Sequence, residues 1–181
     1  MRIIAGAARG RVFMTPPGVD TRPTLNRVRE SLFDMLQFRV PGARVLDLFA
    51  GSGALGLEAA SRGAPTVVCN DADPKCAALI RENAQRVGLA ERVTVMALDF
   101  RLALDVLEKT GEAFDLALLD APYGTDFAYA ACELLLARRL LKPDAWVAVE
   151  HASKAPWQTP AGLHIVKARR YGECAITICE A

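Results

Sequence analysis

From residue 40 onward the chain alternates two hydrophobic patterns. Short apolar runs at 44–49, 66–70, 93–97, 115–119 and 145–150 read as buried strands, and the segments between them repeat apolar positions at helical spacing. Strands and helices alternating at this interval predict βαβ units, and so a parallel sheet with helices on both faces. The punctuation agrees: Asp73 caps a helix that opens on Pro74, and Gly63 and Gly88 stand where two helices should end. Two further runs, 163–168 and 174–180, flank Tyr171-Gly172 and read as a closing antiparallel pair, since a tight connection cannot join parallel strands. The expected architecture is α/β, with a mostly parallel seven-stranded sheet.

The first 40 residues follow a different pattern. Segments 2–5 and 11–14 flank a glycine-bearing turn at 6–10 and predict a hairpin. A proline-rich stretch then leads into a helix capped by Thr24, with Val28, Leu32 and Leu36 on one face. We expect one domain over residues 1–181, made of a hairpin-helix extension (1–39) on a core (40–181).

Composition narrows the class without changing the fold. The 181 residues are 52% hydrophobic and 24% charged, a globular balance. Every apolar stretch is interrupted well before the ~20 residues a bilayer needs, and the short run after Arg2 is no export signal. The five cysteines form no C-x-x-C and sit in apolar periodic segments, as expected of a protein in a reducing cytoplasm. Two distant histidines argue against a metal site. The net charge of +1 conceals a polarity: residues 1–39 hold seven Arg and no Lys against three acidic residues. An arginine pole suits bidentate phosphate contact, and Arg9, Arg11, Arg22 and Arg29 are its candidates, although Arg22 or Arg29 could instead support the cofactor pocket or pair with Glu30; should the pole not meet phosphate, Lys167, Arg169 and Arg170 are the alternative surface.

The first strand runs into Asp47-Leu48-Phe49-Ala50-Gly51-Ser52-Gly53-Ala54-Leu55-Gly56, a G-x-G-x-x-G, and Asp71 follows Gly51 by twenty residues. Taken alone, this matches a dinucleotide fingerprint. Asp47 argues otherwise, because its carboxylate would stand beside the loop where a pyrophosphate must sit. S-adenosylmethionine (SAM) carries an ammonium and a sulfonium and no phosphate, so an acidic residue there favours it. Asp71 can then accept the ribose hydroxyls, and Asp99-Phe100 can meet the adenine. A plain strand-to-helix turn also uses glycines, but three acidic residues ending three consecutive strands exceed what a turn requires.

The fourth strand ends in Asp120-Ala121-Pro122-Tyr123-Gly124. In an open parallel sheet, ligands bind beyond the carboxyl ends of the strands near the switch point, where this loop is expected. The lone pair of an exocyclic amine is delocalised into its ring. Two acceptors on its N–H groups, the Asp120 carboxylate and a backbone carbonyl, can turn it toward a methyl donor while Tyr123 stacks on the base.

With both loops in view, the sequence resembles the class I SAM-dependent methyltransferases, and within them the bacterial RsmD family. The resemblance is carried by Arg2-Ile3-Ile4-Ala5-Gly6, Arg9-Gly10-Arg11, Arg22-Pro23-Thr24, Arg27-Val28-Arg29-Glu30-Ser31-Leu32-Phe33, the glycine loop and Tyr171-Gly172. It implies a Rossmann-like methyltransferase fold and transfer of a methyl group to the N2 amine of a guanine in small-subunit (16S) ribosomal RNA. The substrate would lie within an assembled or assembling subunit, and the enzyme would act as a cytoplasmic monomer without metal or membrane. The expected cofactor set is Thr24, Asp47, Phe49, Ala50, Gly51, Ser52, Gly53, Asp71, Ala72, Asp99, Phe100 and Asp120, with catalysis by Asp120, Ala121, Pro122 and Tyr123. The family usually has Pro where this chain has Ala121, but Pro122 still biases Ala121 toward an extended backbone.

Rivals share parts of this pattern. A DNA amine methyltransferase usually adds a target-recognition region that this chain has no room for, and a protein-glutamine methyltransferase usually has Asn where Asp120 stands. Carbon-5 pyrimidine methylation needs a loop cysteine, absent here. A ribosome-assembly factor that binds SAM without turnover, and a nicotinamide oxidoreductase, complete the alternatives.

Overall fold

The structure, a computed structural model, describes residues 1–16, 23–154 and 157–181; the side chains of residues 23–25 lie outside the description. In chain order the elements are α1 (Pro23–Met35), β1 (Arg44–Asp47), α2 (Ala54–Ser61), β2 (Thr66–Asn70), α3 (Pro74–Arg86), β3 (Val93–Met96), α4 (Phe100–Lys109), β4 (Phe114–Leu119), α5 (Phe127–Ala137), β5 (Leu141–Ala152), β6 (His164–Tyr171) and β7 (Cys174–Glu180). The strands form one seven-stranded sheet in the order β3-β2-β1-β4-β5-β7-β6. β1 to β5 pair in parallel, and β7 inserts antiparallel between β5 and β6. This is the class I methyltransferase fold, with the order reversing between β1 and β4.

Period-two alternation distributes the core over both faces. Val45, Val67, Leu116 and Ala148 point to the face covered by α1, α2 and α3, while Leu46, Val68, Ala117 and Val149 point to the face covered by α4 and α5. Helix ends follow the sequence signals. Asp73 accepts from the Lys75 N–H ahead of Pro74, and Gly88, just past the end of α3, takes φ +70°.

Several boundaries differ from expectation by a few residues, and two of the differences have a clear cause. β5 begins at residue 141 rather than 145, because Asp144 adopts φ 60° and the β4–β5 register shifts, a bulge that hides the strand's start in the sequence. α1 starts on Pro23, whose fixed φ suits the first helical position, so Thr24 lies inside the first turn and is not the cap.

The N-terminal hairpin has one antiparallel bridge, Arg2 to Val12. Backbone bonds between Ile3 and Arg11, Ile3 and Gly10, and Met1 and Phe13 close it, and α2 fastens it to the core. Buried Glu58 accepts from the Ile4 and Ala5 N–H groups at 2.8 and 3.0 Å and from Arg62 Nε at 2.7 Å. Ser61 accepts from Ala8 N–H and donates to the Ala5 carbonyl. The turn presses so closely on α2 that a Cβ on Gly6 would stand 1.9 Å from the Ser61 carbonyl oxygen. Asn83 of α3 is fully buried and bonds Met14 in both directions and the Ser52 carbonyl, tying the hairpin to the glycine loop.

Candidate active site

The loops leaving β1, β2, β3 and β4 surround a cleft of about 410 Å³ at the carboxyl ends of the strands, beside the reversal in strand order. Phe49, Asp71, Ala72, Asp99, Phe100 and all of Asp120 to Tyr123 line it. A neighbouring cavity of about 190 Å³ is lined by Asp47, Ala50, Gly51, Ser52 and Asp120, and also by Arg29 and Glu150. Apart from Thr24, whose side chain lies outside the described residues, the expected cofactor residues converge on these two spaces or on the loop between them.

Each glycine of the loop has its own reason. Gly51 and Gly53 take positive φ (56° and 81°), where a side chain would be strained, and Gly53 opens α2. At Gly56 the constraint is packing, since a Cβ there would stand 2.4 Å from Cys69 Sγ.

Asp47 sits beneath the loop rather than beside it. It is fully buried, and its Oδ2 accepts from Gly56 N–H at 2.8 Å while its Oδ1 is buried with no partner among the described residues. Burial chiefly raises its carboxyl to about 7, opposed by the Gly56 bond and reinforced by Asp71. The expectation of a carboxylate standing beside the loop is corrected accordingly: the group lies buried beneath it, with its ionisation opposed by burial. Asp71 accepts from Gly51 N–H at 2.8 Å and from Asp73 N–H at 2.9 Å, which aims it into the larger cleft with lone pairs to spare. Asp99 caps α4 by accepting from Arg101 N–H. Phe49, Phe100 and Phe127 form an aromatic wall, with centroids 5.4 and 5.2 Å apart. Phe127 has no sequence signal for this role, because only the fold brings the start of α5 to this wall.

The β4 loop is a built turn: Thr125 Oγ1 donates to the Pro122 carbonyl at 2.7 Å and Gly124 takes φ +79°. Ala121 is buried and Tyr123 is half exposed, its hydroxyl donating to Glu150 Oε1 at 2.9 Å. Surrounding protein, then Glu150, then Asp47 push the Asp120 carboxyl above the usual range. Because the side chain keeps access to the open cleft, solvent damps that rise until a ligand fills it. Burial, then the Glu150 charge and bond, also raise the Tyr123 hydroxyl, so it stays a proton donor. Three carboxyls thus converge on one small cavity, an arrangement that favours a cationic ligand and opposes a phosphate. Glu150, like Phe127, is a residue that sequence reasoning missed. Its only signal was its place at the end of the fifth strand.

The arginines divide. Arg9 is exposed. Arg11 is exposed but donates to the Val87 carbonyl at 2.6 Å. Arg22 lies outside the described residues. Arg29 corrects its expected role: it is 5% exposed, donates to the Arg2 carbonyl at 2.6 Å, and lines the smaller cavity, so it cannot reach a phosphate backbone. Its buried Nε has no partner among the described residues. Desolvation, the largest influence, lowers its pKa while Glu58 counteracts. Arg39 pairs with Glu180 and stacks on Trp146.

The family model described as "Conserved hypothetical protein 95" matches residues 1–180. A Haemophilus influenzae protein named "Ribosomal RNA small subunit methyltransferase D" is 35% identical over 176 residues, 95% of this chain and 89% of that one. A solved structure of a hypothetical protein from Thermus thermophilus superposes with TM-score 0.84 at 36% identity, covering 100% of this chain and 99% of that chain. An RNA methyltransferase from Salinibacter ruber, solved with S-adenosyl-L-homocysteine, shares the fold at TM-score 0.67 and 16% identity over 90% of this chain and 93% of that one. A model matched along almost the whole chain, a relative of similar length and a common fold point the same way, and the chain belongs to the RsmD family of methyltransferases.

Proposed function

We propose that this chain transfers a methyl group from SAM to the N2 amine of a guanine in small-subunit ribosomal RNA. The observation that carries the reading is the position of Asp120-Ala121-Pro122-Tyr123: the loop forms a wall of the cofactor-sized cleft and also of an aromatic groove of about 400 Å³ on its far side. One loop therefore faces both the donor side and the acceptor side. The name of the Haemophilus relative supports the RNA, and the Salinibacter neighbour's ligand supports the cofactor.

The donor-side residues fit SAM. Asp71 suits the ribose, the Phe49–Phe100–Phe127 wall suits the adenine, and the unpartnered Asp47 Oδ1 suits the ammonium. Bound SAM supplies an electrophilic methyl group on a sulfonium. The chain's own residues then orient the nucleophile: Asp120 and the Ala121 carbonyl accept the two N–H bonds of the amine, turning its lone pair out of conjugation as nitrogen becomes tetrahedral. Asp120 does not deprotonate the amine before attack, because even a raised carboxyl is too weak a base for a neutral aryl amine. Its acceptance of the proton belongs after attack. Tyr123 offers a ring for the base to stack on.

The test is nucleoside analysis of ribosomal RNA from cells with and without the gene, complemented by parent or Asp120→Ala protein. We expect N2-methylguanosine to vanish from small-subunit RNA, return with the parent and stay absent with the variant. Purified Asp120→Ala should still bind SAM within a few fold. A variant that restores the modification ends this mechanism.

A further inference from the structure

This inference rests on the guanine reading and concerns how guanine is told from other purines bearing the same amine. β4 and β5 run parallel with Leu119 opposite Val149, so Asp120, the first residue past β4, and Glu150, still within β5 and paired to β7, stand side by side at the strand spacing of about 4.8 Å. Both line the smaller cavity. Glu150 also lines the aromatic groove with Tyr123, Tyr129 and Trp157. It stands where the donor-side cavity meets the acceptor-side groove. The Tyr123 hydroxyl donates to Glu150 Oε1 at 2.9 Å, which holds that carboxyl in one orientation and leaves it lone pairs with which to accept.

Guanine is suited to two adjacent carboxylates. Its N2 amine lies next to N1–H, so its edge presents neighbouring donors, whereas adenine and 2,6-diaminopurine carry a bare lone pair at N1. We propose that Glu150 accepts the N1–H of the target guanine while Asp120 accepts from N2, making Glu150 a specificity-determining residue. A carboxylate facing a bare N1 is repelled and left unpaired, and sites built for a donor reject analogues that lack it far more strongly than apolar pockets reject a misfit. The buried flank of the loop, Ala121 and Leu119, offers no other side-chain acceptor to replace it.

The experiment uses small subunits reconstituted with ribosomal RNA in which the mapped target guanine is kept or replaced by 2,6-diaminopurine, which retains the N2 amine and lacks N1–H. Single-turnover methyl transfer is measured for the parent, Glu150→Gln and Glu150→Asp. We expect the parent to prefer guanine by a factor of at least ~10². Glu150→Gln should slow transfer to guanine by ~10-fold or more and bring the preference close to unity, because its amide can donate to a bare N1. Glu150→Asp should be slower yet keep the preference, and it serves alone if the Gln variant fails to fold: loss of preference with a shortened carboxylate counts against the proposal. A Gln variant that slows both substrates equally overturns it while leaving guanine-N2 methylation intact. A parent that makes no N2-methylguanosine in the guanine subunit removes the underlying reading instead.

Discussion

Replacing Asp47 with Asn should stabilise the ligand-free protein at alkaline pH while weakening its cofactor site. The folded carboxyl lies at about 7 against an ordinary value of 3.8, chiefly through burial. Below the lower value both states hold the proton and ionisation costs nothing. Between the two, the folded state keeps a proton that the unfolded state releases, so stability falls as pH rises; above the upper value the whole penalty is present. At ~1.4 kcal/mol per unit, the shift corresponds to a cost of about 4 kcal/mol at pH 8. Asn removes that cost and can keep the acceptor for the Gly56 N–H, but it sets an amide NH₂ where Oδ1 has no partner, a loss of ~1–3 kcal/mol. The net gain at pH 8 is ~1–3 kcal/mol, or ~2–4 °C in Tm for each kcal/mol in a chain of this size. Near pH 4 the parent also carries a neutral group, and the advantage should disappear. Urea unfolding at pH 4, 6 and 8 without ligand reads the difference. SAM affinity at pH 8 should drop by ~10–150-fold, the worth of a charge-assisted bond. A variant that is no more stable than the parent at pH 8, or whose stability falls between pH 4 and 8 as steeply as the parent's, refutes the reasoning.

Two glycines of the N-terminal turn provide a matched comparison. Gly6 and Gly10 both take positive φ, near 85° and 83°, but a Cβ on Gly6 meets the Ser61 backbone while one on Gly10 meets nothing within 4 Å. Gly10→Ala should cost ~1 kcal/mol and Gly6→Ala at least ~3 kcal/mol by denaturant unfolding, because only Gly6 adds a backbone clash to the strain. Arg9→Ala should leave SAM binding unchanged and reduce the slope of log affinity for the small subunit against log salt by ~0.7–0.9, as for one lost phosphate contact. Arg29→Met should leave that slope unchanged while lowering stability and SAM affinity; the opposite division, read by salt-series binding and calorimetry, would return Arg29 to the RNA.

What was legible depended on whether a residue's role is local. Strand periodicity, Asp73 ahead of Pro74 and the glycine loop are local signals, and each element appeared where they placed it within a few residues. Asp47, Asp71 and Asp120 were legible as site candidates because each ends a strand whose neighbours in the sheet the alternation predicts. Glu150 was not, because its meaning depends on the register that sets β5 beside β4. Arg29 was misread because arginine is ordinarily a surface residue. A signal was available, however: Arg29, Phe33 and Leu36 recur at helical spacing, and the latter two are fully buried, so the guanidinium occupies a position on an apolar stripe. Asp47's raised carboxyl was invisible for a related reason, since burial depends on what packs above a residue and leaves no mark in its neighbours along the chain.

The clamp of Glu58, Ser61 and Asn83 on the hairpin has a consequence for the order of folding. Its hydrogen bonds join residues 53 to 69 positions apart in the chain. They can form only once α2 and α3 are in place, and closing such loops costs entropy before any contact returns it. The hairpin is therefore among the last elements to dock. Substitutions at Ile3, Ala8 or Phe13 should accelerate unfolding and leave the folding rate nearly unchanged, as expected of an element outside the folding nucleus.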